Sequence, residues 1–320
     1  MNQLVLVSLL PVVLLIAAGF LAGRAQWIRA TAVKDLSNLI FLLLTPALLF
    51  RTMSQVRIEQ LSFRPVMAYF VAVAIIFGGI LLVKGLNRRA AVLALAGTFS
   101  NTVMIGIAMV GLMYGPDGLV ILLTLVSTHA LVLLTCATLV LELAVAREQK
   151  QGLGGELGNA PRHPVATVLV AVKNAVLNPV PLPIIVGLLF AQTGLVIPEV
   201  IDRPLELLAN AFGPLALVMV GVTLANTPLG QYWRPALALS SVKNLLHPLL
   251  VYLLCRLFDV SGLAMAVMVT ASALPMGANV FLFSQRYKVA EELITATVVV
   301  STAMALVTLT VVVLLLGKFN

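Results

Sequence analysis

Ten stretches of mostly apolar residues, each about the 20 residues that a bilayer-spanning helix needs, leave this chain few ways to fold. In lipid the backbone must satisfy its own hydrogen bonds, so each stretch is expected to cross as a helix. They run over roughly 4–23, 35–53, 65–86, 90–113, 118–146, 165–193, 205–225, 236–258, 262–285 and 290–316. The 320 residues are 61% hydrophobic and 10% charged, where a soluble domain carries roughly 25% charge. The fold class expected is therefore an all-α polytopic membrane protein. The net charge of +8 would suit nucleic acid only if it were gathered on a face or a run. The basic residues are spread through short loops instead, which excludes that partner. MNQLVLVSLL has neither a basic n-region nor a small-residue cleavage site, so it reads as a first membrane helix. Cys136 and Cys255 fall inside apolar stretches, and no disulfide is expected.

The chain divides into similar halves. Leu10-Pro11 matches Leu182-Pro183, Pro46 matches Pro214, Arg64-Pro65 matches Arg234-Pro235, and Tyr114 matches Tyr287, in the same order and near a constant offset. The boundaries expected are a first five-helix repeat over 1–146, a polar, glycine-rich linker over 147–164, and a second repeat over 165–320. Five is odd, so the second repeat must start on the opposite side of the membrane and be inverted. With the N-terminus outside, thirteen Lys and Arg fall on the cytoplasmic side and six outside, Arg51, Arg57 and Arg64 among the six. That bias places both termini outside the inner membrane.

Two stretches are interrupted. GTFSNTVMIGIAMVG (97–111) carries Ser100, Asn101, Thr102 and Gly106, and ALPMGANVFLFSQRY (273–287) carries Pro275, Gly277 and Asn279. Proline removes a donor and glycine loosens the backbone, so both helices should break at matching depth. Broken backbone is tolerated there only where it lines a cavity or is covered by protein. A pair of such breaks in corresponding positions points to a transporter's binding site. Each break leaves a half-helix whose first N–H groups suit an anion. Asn101 and Asn279 would add amides, and Ser100 and Thr102 hydroxyls.

Lys243 and His247 stand one helical turn apart in SSVKNLLHPLL. An intramembrane lysine should face protein or water. It serves either as a counter-charge for an anion or as a donor to carbonyls freed by Pro248. Asn38 is a further polar position that could face the cavity or bond a neighbouring helix. His129 is expected to be a satisfied interior histidine, and Glu142 to pair with Arg147. No stretch carries Asp or Glu at its centre, no GxxxxGK[ST] loop occurs, and no His/Cys cluster suits a metal. No cofactor and no enzymatic activity are expected.

The chain resembles the auxin efflux carrier family, with its bacterial malonate and malate carriers. The resemblance rests on NLIFLLLTPALLF, TFSNTVMIGIAM, LNPVPLPIIVGLL followed by LALVMVGVTL, and above all ALPMGANVFLFSQRY. It implies two inverted five-helix repeats with broken, crossing helices 4 and 9. It also implies a scaffold of helices 1–2 and 6–7 beside a transport domain of helices 3–5 and 8–10. Such carriers move organic anions by an elevator-like motion, and some are homodimers. Carried onto this chain, the crossing lies at Asn101–Thr102 and Pro275–Asn279. The first break here has no proline, and the long central loop of plant members is absent. The expectation is a secondary carrier of small organic anions, a dicarboxylate or an aromatic carboxylate. The alternatives are a sodium-coupled symporter resembling bile-acid carriers, and a membrane receptor that binds a ligand without moving it.

Overall fold

The computed structural model describes residues 2–56, 62–150, 181–227, 231–277 and 279–316. Every named element among them is helical. The linker beyond Lys150 and the first part of the sixth stretch lie outside the described residues.

Proline and glycine decide where these helices bend and turn. α1 spans Asn2–Arg24. The second stretch is made of α2 (Ala30–Leu39), a π turn (Ile40–Leu44) and α3 (Thr45–Met53). Pro46 has no N–H for the ladder, and its ring displaces the carbonyl four residues back. The ladder widens by one residue there, and Thr45 Oγ1 donates to the Ile40 carbonyl at 2.8 Å. The same device recurs ahead of Pro248, where a π turn (Val242–Leu246) joins α9 (Trp233–Ser241) to α10 (His247–Leu257). α4 covers Arg64–Lys84. α5 (Arg88–Thr98) is capped by Asn87, whose side chain accepts the Ala90 amide at 2.8 Å.

α6 runs from Ala108 to Lys150 but is folded at Gly115, where φ is +64°, just before Pro116. A Cβ on Gly111 would sit 3.4 Å from Leu119. In a straight helix eight residues span about 12 Å, so the fourth and fifth stretches are joined by a sharp turn. α7 (Pro181–Gln192), α8 (Glu199–Asn226), α11 (Gly262–Ala273), α12 (Asn279–Tyr287) and α13 (Glu291–Leu316) complete the set. Among the described residues, six helical spans are long and apolar enough to cross a membrane, and three shorter helices are apolar too.

The helices pack in two groups. In one, α1 lies along α8, and α3 packs on α7 and α8. The α1–α8 contact is made by small residues. A Cβ on Gly19 would fall 1.9 Å from the Val218 carbonyl oxygen, and one on Gly221 2.0 Å from that of Ile16. Close backbone approach of this kind holds membrane helices together where lipid removes the hydrophobic drive. Arg51 at the end of α3 grips Asp202 on α8 with two hydrogen bonds of 2.7 and 2.9 Å. That pairing gives a structural reason for an arginine on the side where the charge count expects few.

In the other group α4 packs on α5 and α10, α10 on α11, α9 on α13, and α11 on α6 and α13. Its polar end ties three helices together. Arg88 pairs with Glu148 through both side chain and backbone, and Tyr287 Oη donates to Glu142 at 2.8 Å. Glu142 thus bonds across to α12 and not along its own helix to Arg147.

Candidate binding site at the two helix interruptions

α5 ends at Thr98, and its chain resumes as a π turn (Thr102–Ile107) that leads into α6. α11 ends at Ala273, and α12 begins at Asn279. The two connecting segments lie against each other as an antiparallel pair centred on Ser100 and Met276. Asn101 N–H donates to the Pro275 carbonyl, and Gly277 N–H donates to the Phe99 carbonyl, both at 2.9 Å. Each interruption therefore satisfies backbone groups of the other, as buried irregular backbone requires. Two glycines permit the approach. A Cβ on Gly277 would lie 2.7 Å from the Phe99 ring, and one on Gly106 2.8 Å from Leu274 Cδ1. Met276 N–H turns to Ser301 Oγ on α13 at 3.2 Å.

These diversions leave carbonyls without their usual donors. In a continuous helix the amides of Met276 and Gly277 would serve the Ser272 and Ala273 carbonyls. Here both amides point elsewhere. Lys243 Nζ takes over, donating to the carbonyls of Ser272 at 2.6 Å and Leu274 at 2.7 Å. Asn244 Nδ2 donates to the Ala273 carbonyl between them at 3.1 Å. Both side chains are fully buried. Lys243 is thus a donor to freed carbonyls, but the break at Pro275 frees them and not Pro248. The His247 ring packs edge-on against Tyr69, with centroids 5.0 Å apart.

A second polar group supports the first interruption. Ser100 Oγ and Tyr69 Oη are 2.9 Å apart, and Tyr69 Oη lies 3.2 Å from His129 Nε2. His129 also packs on the Phe99 ring at 4.7 Å. It is a satisfied interior histidine, as its sequence context predicts.

Of the positions singled out in the sequence, Ser100, Asn101, Pro275 and Gly277 meet in the paired segments, and Thr102 follows directly. Lys243 joins them through carbonyls, and His247 through Tyr69. Asn101 precedes the Thr102–Ile107 turn without a side-chain cap, so its own amide does not close off the first N–H groups. Asn279 heads α12 and is exposed. Asn38 is exposed on α2, and among the described residues no hydrogen bond joins it to this group. No carboxylate bonds to the group among the described residues either. It offers amides, hydroxyls, two starting helices and one buried cation.

The sequence profile described as "Membrane transport protein" matches residues 4–313. The chain belongs to this membrane transport protein family. It is the auxin efflux carrier family of the sequence resemblance, and membership makes the protein an integral membrane transporter and not an enzyme. A relative from Rhizobium meliloti (strain 1021), named "Putative malonate transporter", is 28% identical over 310 residues, covering 94% of this chain and 92% of its own. For this family member, sequence inspection missed Tyr69 and Ser301. Both are ordinary in type, within runs that look like packing, and only their partners mark them. A hydroxyl at the depth of each interruption is the one cue that could have raised them.

Proposed function

We propose that this transporter carries small organic anions, a dicarboxylate or an aromatic carboxylate, across the inner membrane by alternating access of the elevator type. The observation that carries the reading is the antiparallel pairing of two broken helices beside a buried lysine, with no carboxylate bonded to the group among the described residues. Half-helix N-termini attract anions, and Asn101 and Asn279 stand at the two that begin here. The name of the Rhizobium meliloti relative makes malonate the first substrate to try. In this reading the halves 1–146 and 165–320 are inverted repeats with both termini outside, and the paired interruptions are the crossing of helices 4 and 9. The α1, α3, α7 and α8 group is the scaffold, and the remainder is the moving domain, in an assembly that admits a homodimer.

The test is uptake of labelled malonate and of aryl carboxylates by proteoliposomes. Saturable uptake that falls at least tenfold in both Asn101→Ala and Asn279→Ala supports the reading. Uptake unchanged in both variants moves the site elsewhere. Binding of an acid with no flux turns the reading to a receptor.

A further inference from the structure

The two interruptions resolve their loose backbone differently. At the first, nearby groups suffice: Thr98 Oγ1 donates to the Ala94 carbonyl at 2.8 Å, Thr102 N–H to Ser100, and Gly106 N–H to Asn101. At the second, three successive carbonyls at the C-terminus of α11 converge on two side chains from one neighbouring π turn. A helix C-terminus carries roughly half a negative charge. Carbonyls of an unwound segment beside such an end are the groups that coordinate a monovalent cation in broken-helix carriers. Here a fully buried ammonium stands 2.6 and 2.7 Å from two of them. Asn244 donates its amide to the third, while its Oδ1 is buried without a partner among the described residues. That oxygen is a further acceptor beside the lysine.

We infer that Lys243 is a tethered cation filling a carbonyl-lined site for a monovalent cation, and that removing its side chain exposes this site to free cations. The donor set left behind would be the carbonyls of Ser272 and Leu274, with Ala273 and Asn244 beside them. All are neutral oxygens, a set suited to sodium or to a small alkylammonium. The native protein then has no use for a free cation at this break. The inference deepens the proposed transport reading, but its test reads cation binding and not flux, so either can fail alone.

The experiment is thermal unfolding of the purified full-length protein in detergent, in choline chloride at constant ionic strength. Choline is replaced stepwise by sodium, lithium, potassium, methylammonium or ethylammonium. Wild type is expected to show the same midpoint in all of them. Lys243→Ala should unfold at a lower temperature in choline and recover saturably with sodium or an alkylammonium, since a ligand of the folded state alone raises stability with its concentration. Lys243→Gln keeps two N–H donors without the charge, and it should also fall below wild type. A wild-type midpoint that rises with sodium overturns the inference without any variant. So does a Lys243→Gln protein as stable as wild type, because neutral donors would then suffice. A folded Lys243→Ala protein that ignores every cation overturns it as well.

Discussion

Gly277→Ala should destabilise the protein through a single contact. The new methyl would meet Phe99 Cδ1 at 2.7 Å and Cε1 at 2.9 Å, with the Ser100 carbonyl oxygen at 3.2 Å. Carbon pairs settle near 3.5 Å or beyond, so the shortfall is about 0.8 Å. The Phe99 ring cannot simply withdraw, because His129 packs on it at a centroid distance of 4.7 Å. The paired segments cannot part freely either, because Gly277 N–H is bonded to the Phe99 carbonyl. Overpacking in such a place costs about 1–3 kcal/mol. At about 2 °C per kcal/mol for a chain of this size, the midpoint falls by about 2–6 °C. Thermal unfolding in detergent reads this directly, with Gly78→Ala as the control. A Cβ there meets nothing within 4 Å, and alanine in a helix gains about 0.5–1 kcal/mol over glycine. Adding Phe99→Leu to Gly277→Ala should cost less than the two changes summed, by about 0.5–3 kcal/mol of coupling. If Gly277→Ala matches Gly78→Ala, the close approach of the two interruptions is not what holds this region.

Three further changes probe other contacts. Gly221→Leu should prevent α1 from seating on α8, since even a Cβ would fall 2.0 Å from the Ile16 carbonyl oxygen; loss of a monodisperse peak in size-exclusion chromatography reads it. A double-mutant cycle of Arg51→Ala and Asp202→Asn should give a coupling of about 0.2–1 kcal/mol, because the pair is partly exposed; no coupling by thermal unfolding would mean the pair does not join α3 to α8. Tyr69→Phe should cost about 1–3 kcal/mol, because the same hydroxyl meets Ser100 and His129 inside the protein; an unchanged unfolding midpoint would refute that.

Much of this was legible from residue order alone. Stretch length and low charge predict helices because lipid offers the backbone no partner. Pro275 with Gly277, and Ser100 with Asn101, mark the interruptions because each weakens the helix locally. What stayed hidden is pairing between distant segments. Nothing in the sequence shows that Lys243 reaches the carbonyls of 272 and 274, because that depends on which amides the break diverts. The π turns ahead of Pro46 and Pro248 were hidden too, since a proline marks where the ladder is disturbed but not that it widens by one residue. The stretch ends at 113 and 118 placed a connection there, but the fold at Gly115, with its positive φ, came only with the structure. Asn38, a polar residue in an apolar stretch, lies exposed on α2, and its residue type alone did not indicate that.

The hydrogen bonding of the site constrains how the protein can move. Separating the two interruptions would break the Asn101–Pro275 and Gly277–Phe99 bonds together and leave buried N–H groups without partners. Each such group costs about 1–3 kcal/mol, so the pair should travel as one body. Any sliding must then occur between the two helix groups, where Gly213 on α8 faces Ala108 at the start of α6. A Cβ on Gly213 would lie 3.8 Å from that of Ala108, within the usual Cβ–Cβ span of a disulfide, about 3.5–4.5 Å. Ser100 and Met276 form the non-hydrogen-bonded kind of antiparallel pair, whose Cα atoms stand about 4.5 Å apart, so they can also be bridged. In a background lacking Cys136 and Cys255, oxidising Ala108→Cys/Gly213→Cys should abolish uptake relative to the reduced protein. Oxidising Ser100→Cys/Met276→Cys should leave that variant's own rate unchanged. If the first bridge forms and uptake persists, the two groups do not slide at this seam and the elevator reading fails. If the second bridge stops uptake, the interruptions move against each other, and their hydrogen bonds are exchanged during the cycle.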